Sequence, residues 1–508
     1  MKLSRVLVWL TCGILTLVMS VEASAQRTFT LQQAIDFALD NSYNVKNIRL
    51  NQESALQNLQ ATKGQFKTFA NAFLLAPNLR EELATVQFQD GIPDYRTTGT
   101  TQFAGTLNIN QPLPTNGLFT LTSNLSQNQQ SFFTFDEQSS TVKLERLDFL
   151  SSVTLRFRQP LFTPNTLKLG LEEANLDYEN TTYDLRRTEL DVIYSVTQSF
   201  FNYYRRVRQL EIARQELEQQ QEAYDLASKK YNAGLIPEVE ALQTEVDLAQ
   251  SRNRVFTAET DLKRQEDFFK QTIGIPLEEE VSVLAEIDYK PVTIEQDRAV
   301  QFALENRLEI REAEIEQRLA EISVKRTKAL SEFRVDLSAF YDLSGVSQTN
   351  DLGISPYTLF RESVDDLRDR PKNRGVSVTF SVPLWDSGVN RAQVAASRAR
   401  LDQADLNLDN DKVTIVREVK DVVAQVIEGQ KRLEVSEKSQ RLAERSYEIS
   451  LARFDNGDIT SQDLALDRDR LTQTRSEFLD AYILYQTALA DLKRKTLYDF
   501  ENNRSLIE

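Results

Sequence analysis

The sequence has 508 residues and a formal net charge of −16 at neutral pH, and it contains no histidine and a single cysteine, Cys12. It therefore offers no imidazole base, no thiolate nucleophile other than Cys12, and no His/Cys zinc site. This composition excludes most enzyme designs and predicts no cofactor, and the negative charge argues against nucleic acid as a partner.

Residues 1–25 have the three regions of a secretory signal peptide: two basic residues, an apolar run and small residues before the cut. We expect cleavage before Gln26, with Cys12 discarded. An uncleaved anchor helix would need a longer apolar stretch. No later window approaches eighteen consecutive apolar residues, so the sequence predicts that any membrane crossing uses strands.

An internal repeat organises the rest of the chain. The motif Phe37–Asn41 recurs as Phe302–Asn306, each in a polar helical stretch that we expect to begin at a capping threonine, Thr30 or Thr293. A second motif, Pro160-Leu161-Phe162, recurs as Pro383-Leu384-Trp385 at a shorter spacing, so the first half holds 42 extra residues. Two structural repeats follow from this order.

Long helices are predicted in both halves from a seven-residue apolar repeat in matching phase. About 65 residues without proline precede each of these heptad runs. As a helix, at ~1.5 Å per residue, each stretch would span roughly 100 Å. A sustained heptad pattern is typical of helices that pack side by side. The heptad positions are Ala241, Leu248, Val255, Leu262 and Phe269 in the first half and Leu464, Leu471, Phe478, Tyr485 and Leu492 in the second.

Membrane-type strands are predicted where the periodicity changes to strict alternation. In the second half, Val376, Val378 and Phe380 share one face while serine and threonine share the other. A water-exposed sheet with one buried face is the alternative. The stretch 348–373 lacks a periodic pattern and is predicted to be an outward loop, and the extra residues are predicted to form a hairpin over 101–127 that joins the sheet or projects beyond it.

The predicted organisation can be stated by residue ranges. After the signal peptide 1–25 comes a first repeat, 26–292, with a first helix 30–66, a β segment 67–161, a helical hairpin 162–273 and a linker 274–292. The second repeat, 293–497, has a first helix 293–334, a β segment 335–385 and a helical hairpin 386–497, and a C-terminal tail covers 498–508.

This duplicated order of helix, strand pair, Gln159-Pro160-Leu161-Phe162, long helix, Tyr-x-x-Gly turn and second long helix resembles the TolC-type outer-membrane efflux proteins, from about Thr30 to Leu497. The resemblance implies an α+β membrane protein that assembles as a homotrimer. The three subunits share one outer-membrane β-barrel of twelve strands, four from each chain. Long antiparallel α-helical hairpins form a periplasmic α-barrel.

The resemblance also implies a passive exit channel for efflux or type I secretion, located in the outer membrane with a periplasmic extension. Its implied partners are outer-membrane lipid, a periplasmic membrane-fusion adaptor and an inner-membrane pump. From the residues themselves, a four-strand chain cannot close a barrel alone, so several copies must share one. A coiled-coil scaffold or adhesin stalk without a pore remains the alternative, and an enzyme with paired carboxylates is not expected.

Two sets of functional residues are predicted at the ends of the helical hairpins. Asp463 matches the position of a constriction aspartate in the family. Asp467, four residues later, lies on the same face of the helix as Asp463, and Glu240 is the first-half equivalent of Asp463. Asp463 could instead cap its helix beside Thr460. The adaptor-docking candidates are Gly234, Leu235, Ile236 and Pro237 in the first turn and Gly457, Asp458, Ile459 and Thr460 in the second.

Overall fold

The computed structural model describes residues 27–87, 93–135, 141–285, 289–330, 332–456 and 458–506, so the predicted signal peptide and Gly457 lie outside the described residues. The chain divides into two compact units. The helical unit comprises the chain up to Gln52, Thr181–Glu312 and Leu408–Glu508, and the sheet unit comprises Glu53–Asn180 and Ala313–Asn407.

Helices dominate the described residues. Their bounds are α1 Leu31–Asn41, α2 Tyr43–Gly64, α3 Thr166–Asn232, α4 Glu238–Ile273, α5 Gln296–Asn306, α6 Leu308–Leu330, α7 Pro356–Asp369, α8 Val389–Asp455 and α9 Ser461–Thr496. The strands are β1 Arg27–Phe29, β2 Phe69–Gln87, β3 Pro93–Pro112, β4 Leu118–Phe135, β5 Thr141–Leu161, β6 Val281–Val283, β7 Arg334–Thr349, β8 Asn373–Ser381, β9 Tyr498–Asp499 and β10 Arg504–Ser505.

The first helix of each half is broken once, which corrects the single helices expected over 30–66 and 293–334. Ser42 and its repeat equivalent Arg307 both have an extended backbone, with ψ of 142° and 130°. At Ser42 the N–H closes the preceding helix on Ala38, while its hydroxyl accepts the N–H of Val45. Each break therefore ends one helix and starts the next.

The threonine caps expected at Thr30 and Thr293 differ in outcome. Thr30 forms a capping box with Gln33, in which each side chain accepts the other residue's backbone N–H. The expectation for Thr293 is wrong, because α5 begins two residues later with Glu295 as its N-cap and without a side-chain cap bond. Both threonines have a glutamine three residues later, so this spacing alone does not decide where the helix starts.

The sheet unit contains one antiparallel sheet of six strands in the order β2-β3-β4-β5-β7-β8. The extra hairpin, β3 and β4, is inserted between β2 and β5. The count of four strands that the resemblance implies is therefore too small for this chain.

The two faces of this sheet differ in polarity, as the alternating pattern predicted. On one face, here the apolar face, β8 presents Val376, Val378 and Phe380, which are 75%, 49% and 67% exposed. Opposite them, the polar face carries paired side chains such as Thr154 and Asp342, whose oxygens lie 2.6 Å apart. The apolar face is exposed in the single chain, so it is available to a nonaqueous environment or to other copies.

The predicted outward loop 348–373 contains the helix α7, which corrects that expectation. Helix α7 packs on the apolar face over the end of β7 and the part of β5 that pairs with it, where the hydroxyls of Ser151 and Ser363 lie 2.6 Å apart. Strand β7 extends beyond Asp342, which pairs with Asn373, the first residue of β8, and there the N–H of Val346 donates to the Asp366 carboxylate at 2.8 Å. The helix thus covers a strand edge that β8 leaves unpaired.

The helical unit is held together by the predicted heptad positions. None of the ten residues is exposed, and Phe269, Leu471, Tyr485 and Leu492 are at most 2% exposed. Two segments expected to be irregular also have structure. The linker 274–292 contains β6, which pairs in parallel with β1, and the tail contains the β9–β10 ribbon, whose Tyr498 stacks on Phe302.

Candidate functional site

The first turn, residues 233–237, joins α3 to α4 through a left-handed glycine. Gly234 has φ +71°, and the next N–H, that of Leu235, donates to the Lys230 carbonyl at 2.9 Å. This is the long bond of a Schellman-type helix end. Pro237 is the N-cap of α4. The turn presents Leu235, which is 73% exposed, to solvent.

The second turn repeats the first in its described residues, 458–460. The Asp458 N–H donates to the Arg453 carbonyl at 2.9 Å, the equivalent of the Leu235 bond in the first turn. Asp458 is exposed and Ile459 is half-buried, as Ile236 is in the first turn. The repeat therefore extends to the hydrogen bonds that end the two long helices.

A lysine connects the ends of the two long helices. The Lys230 ammonium donates to the carbonyl oxygen of Phe454 at 3.1 Å and lies 4.3 Å from the centre of the Phe454 ring. A cation at a helix C-terminus is favourable because the last carbonyls carry partial negative charge. The two sets of turn candidates therefore belong to one surface, which we call the paired turns.

The carboxylate of Asp463 closes a capping box at the start of α9. It accepts the Thr460 N–H at 3.0 Å and the Thr460 hydroxyl at 2.8 Å, while its own N–H donates to that hydroxyl. These bonds from Thr460 lower the pKa of the Asp463 carboxyl. A lowered pKa means that this stabilisation exists above the pKa of the unfolded chain and is lost only as the pH falls through the folded value.

The other two acidic candidates have different surroundings. Asp467 accepts a hydrogen bond from the Ser450 hydroxyl of α8. Glu240 is half-buried in the first turn of α4 and lines a groove that Val239 and Thr460 also line. The fold thus brings Glu240 to the same groove as the Thr460 cap, whereas Asp467 points to α8.

A buried polar cluster that sequence reasoning missed lies in the same unit. Glu216, 6% exposed, is ion-paired with Arg254, and burial raises the pKa of its carboxyl although Arg254 and Arg468 act in the opposite direction. Among the described residues, Gln220 Oε1 and Arg468 Nε have no hydrogen-bond partner. No sequence signal marks this cluster, because charged residues are frequent on every face of these helices.

Two other features are absent from the described part of the chain. No helix in it is long and apolar enough to cross a membrane. No group of three or more Asp, Glu or Cys residues within the described ranges could hold a metal ion.

The fold is similar to those of solved outer-membrane channels. The Campylobacter jejuni CmeC outer membrane channel aligns with 92% of this chain and 85% of its own at a TM-score of 0.66 and 15% identity. For the open state of the Neisseria gonorrhoeae MtrE outer membrane channel the coverage is 94% and 91%, the TM-score 0.63 and the identity 14%. The outer membrane protein VceC of Vibrio cholerae aligns with 92% of this chain and 95% of its own, at a TM-score of 0.62 and 15% identity.

At the level of sequence, no curated protein matches the chain. The profile described as outer membrane efflux protein matches residues 150–274 and 299–496, which together make up more than half of the chain. These segments hold the end of the sheet in the first half, the second β segment and both helical hairpins. By this match and by its fold, the chain belongs to the outer membrane efflux protein family.

Proposed function

We propose that the chain is one subunit of the outer-membrane exit channel of a tripartite efflux or type I secretion system, and that it acts as a passive conduit without catalysis. The observation that carries the proposal is the six-stranded sheet, with one exposed apolar face and one polar face. A stalk without a pore has no use for this division, whereas a pore needs lipid outside and water inside.

The edges of the sheet support a multimer. Strands β2 and β8 are the two ends of the strand order, so each carries unpaired backbone groups on one side within the described residues. Such groups are costly in lipid, where no water can satisfy them. Pairing of β8 in one copy with β2 in the next satisfies both edges, and we propose a homotrimer in the outer membrane.

The paired turns are the proposed docking surface for a periplasmic membrane-fusion adaptor and its inner-membrane pump. Leu235 in the first turn and Val239 at the start of α4 are 73% and 70% exposed, and the left-handed Gly234 ends α3 beside them. Exposed aliphatic side chains on a rigid turn suit docking between helical tips, because little conformational freedom is lost. The helical hairpins are proposed to form the periplasmic extension.

The subunit number can be measured directly. Extracted from outer membranes in mild detergent, the protein is expected to have the mass of three chains and to conduct ions in planar bilayers, because a single sheet leaves two strand edges unpaired. Native mass spectrometry and single-channel recording test both statements. A monomer that keeps its full β-structure in detergent would contradict the proposal, and a non-conducting trimer would favour the stalk.

Asp463, Asp467 and Glu240 are proposed to give the periplasmic end of the conduit its acidic lining. The double change Asp463→Asn with Asp467→Asn is expected to lower the preference for cations about fivefold. The reason is that a carboxylate and a cation about 4 Å apart attract each other by roughly 1 kcal/mol in water. Asparagine keeps an acceptor for the Thr460 bonds, so the helix start is preserved. Bilayer reversal potentials under a salt gradient measure the effect.

A matched control removes two exposed acids on α8, away from the paired turns, Asp409→Asn with Glu428→Gln, and is expected to leave selectivity unchanged. If the two double variants behave alike, Asp463 is a helix cap only and the acidic lining lies elsewhere.

A further inference from the structure

The extra hairpin is a continuous part of the sheet. Strand β3 pairs with β2 from Asn110 opposite Phe69 to Pro93 opposite Gln87, with one register shift. Strand β4 pairs with β5 over its whole length, from Leu118 to Phe135. A hairpin that projected beyond the sheet would pair only with itself, so β3 and β4 are wall strands.

The turn of the hairpin is fastened to the end of β5 and to the residue just before α3. The Thr115 hydroxyl donates to Gln159 Oε1 at 2.7 Å, and Gln159 Nε2 donates back to the Thr115 carbonyl at 2.9 Å. Next to it, the Asn165 amide donates to the Pro114 carbonyl at 2.7 Å. These bonds fix the turn at the end of the sheet where the long helix begins.

The hairpin continues both faces of the sheet. On the polar face, three threonine–asparagine pairs connect β3 and β4 at 2.8–2.9 Å: Asn108 with Thr122, Asn110 with Thr120, and Thr106 with Asn124. On the apolar face, Ile109 lies opposite Leu121, which lies opposite Leu155 of β5. A strand pair with this alternation suits a wall between lipid and water.

We infer that the hairpin widens the pore. The inference rests on the proposed function, in which three copies share one barrel: six strands from each copy make eighteen, where four would make twelve. Because barrel diameter grows roughly linearly with strand number, the outer-membrane part becomes about 1.5 times wider than a twelve-stranded barrel, with about twice its cross-section. The conduit thereby admits bulkier cargo at the outer-membrane step than a four-strand subunit would.

The chain offers a matched narrow variant. Strands β2 and β5 run antiparallel to each other, because each successive pair between them is antiparallel. Deleting residues 93–135 therefore leaves β2 able to pair directly with β5 through a short connection. A spin label can be attached at Tyr341→Cys on β7, whose neighbours β5 and β8 are present in the full chain and in the deletion variant. The Tyr341 side chain is 40% exposed. The only native cysteine, Cys12, lies in the predicted signal peptide.

The test is pulsed electron paramagnetic resonance, which measures the distances between spin labels in the two labelled proteins in detergent. The separation between labels in the full chain is expected to be about 1.5 times that in the deletion variant. Equal separations would overturn the wider barrel and leave the trimer standing, whereas loss of coupling between labels in both proteins would overturn the trimer. If the deletion variant does not assemble, strands counted in an electron cryo-microscopy map of the full chain decide: eighteen supports the inference and twelve overturns it.

Discussion

Replacing Gly274 by alanine is expected to destabilise the helical unit by about 2–4 kcal/mol. Gly274 ends α4 at φ +82°, where an L side chain costs ~1 kcal/mol. In addition, an added Cβ would lie 2.6 Å from the Asn41 carbonyl oxygen and 3.2 Å from the Ser42 nitrogen. These are backbone atoms at the junction of α1 and α2, which cannot move aside as a flexible side chain can, and overpacking of this kind costs about 1–3 kcal/mol.

Gly234→Ala is the matched control for the steric part of this effect. Gly234 has a similar φ, +71°, but nothing lies within 4 Å of its added Cβ, so only the left-handed cost of ~1 kcal/mol is expected. Thermal melting of the assembled protein compares the two variants, and hydrogen exchange at the Ser42 amide locates the damage. Equal losses in the two variants would mean that the Asn41 backbone yields without cost.

The repeated architecture could be predicted because the sequence carries it twice. The matching heptads gave ten positions of which none is exposed, and the repeated glycine turns appear in the structure with equivalent bonds from Leu235 and Asp458. Alternation over several residues likewise gave the two faces of the sheet. These features are local or periodic, so they leave a pattern that can be found without knowledge of the tertiary structure.

Helix α7 could not be predicted in the same way. Only Leu359 and Ser363 of this helix are fully buried, and charged residues occupy much of the remaining surface. Its position depends on contacts with strands distant in sequence, such as Phe149, whose ring packs edge-on against Phe360 at 5.6 Å. Tertiary contacts of this kind override weak local propensity.

The place of the hairpin also required the structure. Alternation predicted two strands but carries no information about which strands are their neighbours, and that choice decides whether the barrel is widened. In the candidate site the capping role of Asp463 was one of two predicted possibilities, and its bonds to Thr460 place it there. The buried Glu216 and Arg254 pair depends on which helix faces meet, and charge alone does not specify this.

Gly345→Ala is expected to displace α7 from the sheet. An added Cβ at this position would overlap the Ser363 carbonyl oxygen and lie 2.5 Å from the Leu367 nitrogen, both backbone atoms of α7. Because a helix backbone cannot yield at two adjacent turns without moving as a whole, the contact between α7 and β7 is expected to weaken by about 1–3 kcal/mol or more. The N–H of Val346 would then lose the Asp366 carboxylate and exchange with solvent.

Gly105→Ala provides the control, because it lies on the same apolar face and its added Cβ would meet only the Leu74 side chain, at 3.4 Å. Limited proteolysis within 356–369 and hydrogen exchange at Val346 are the measurements. Faster cleavage and faster exchange are expected in Gly345→Ala and unchanged rates in Gly105→Ala. If α7 stays protected in Gly345→Ala, the close approach of helix and strand is not what holds it, and the Asp366 and Ser363 hydrogen bonds must be sufficient by themselves.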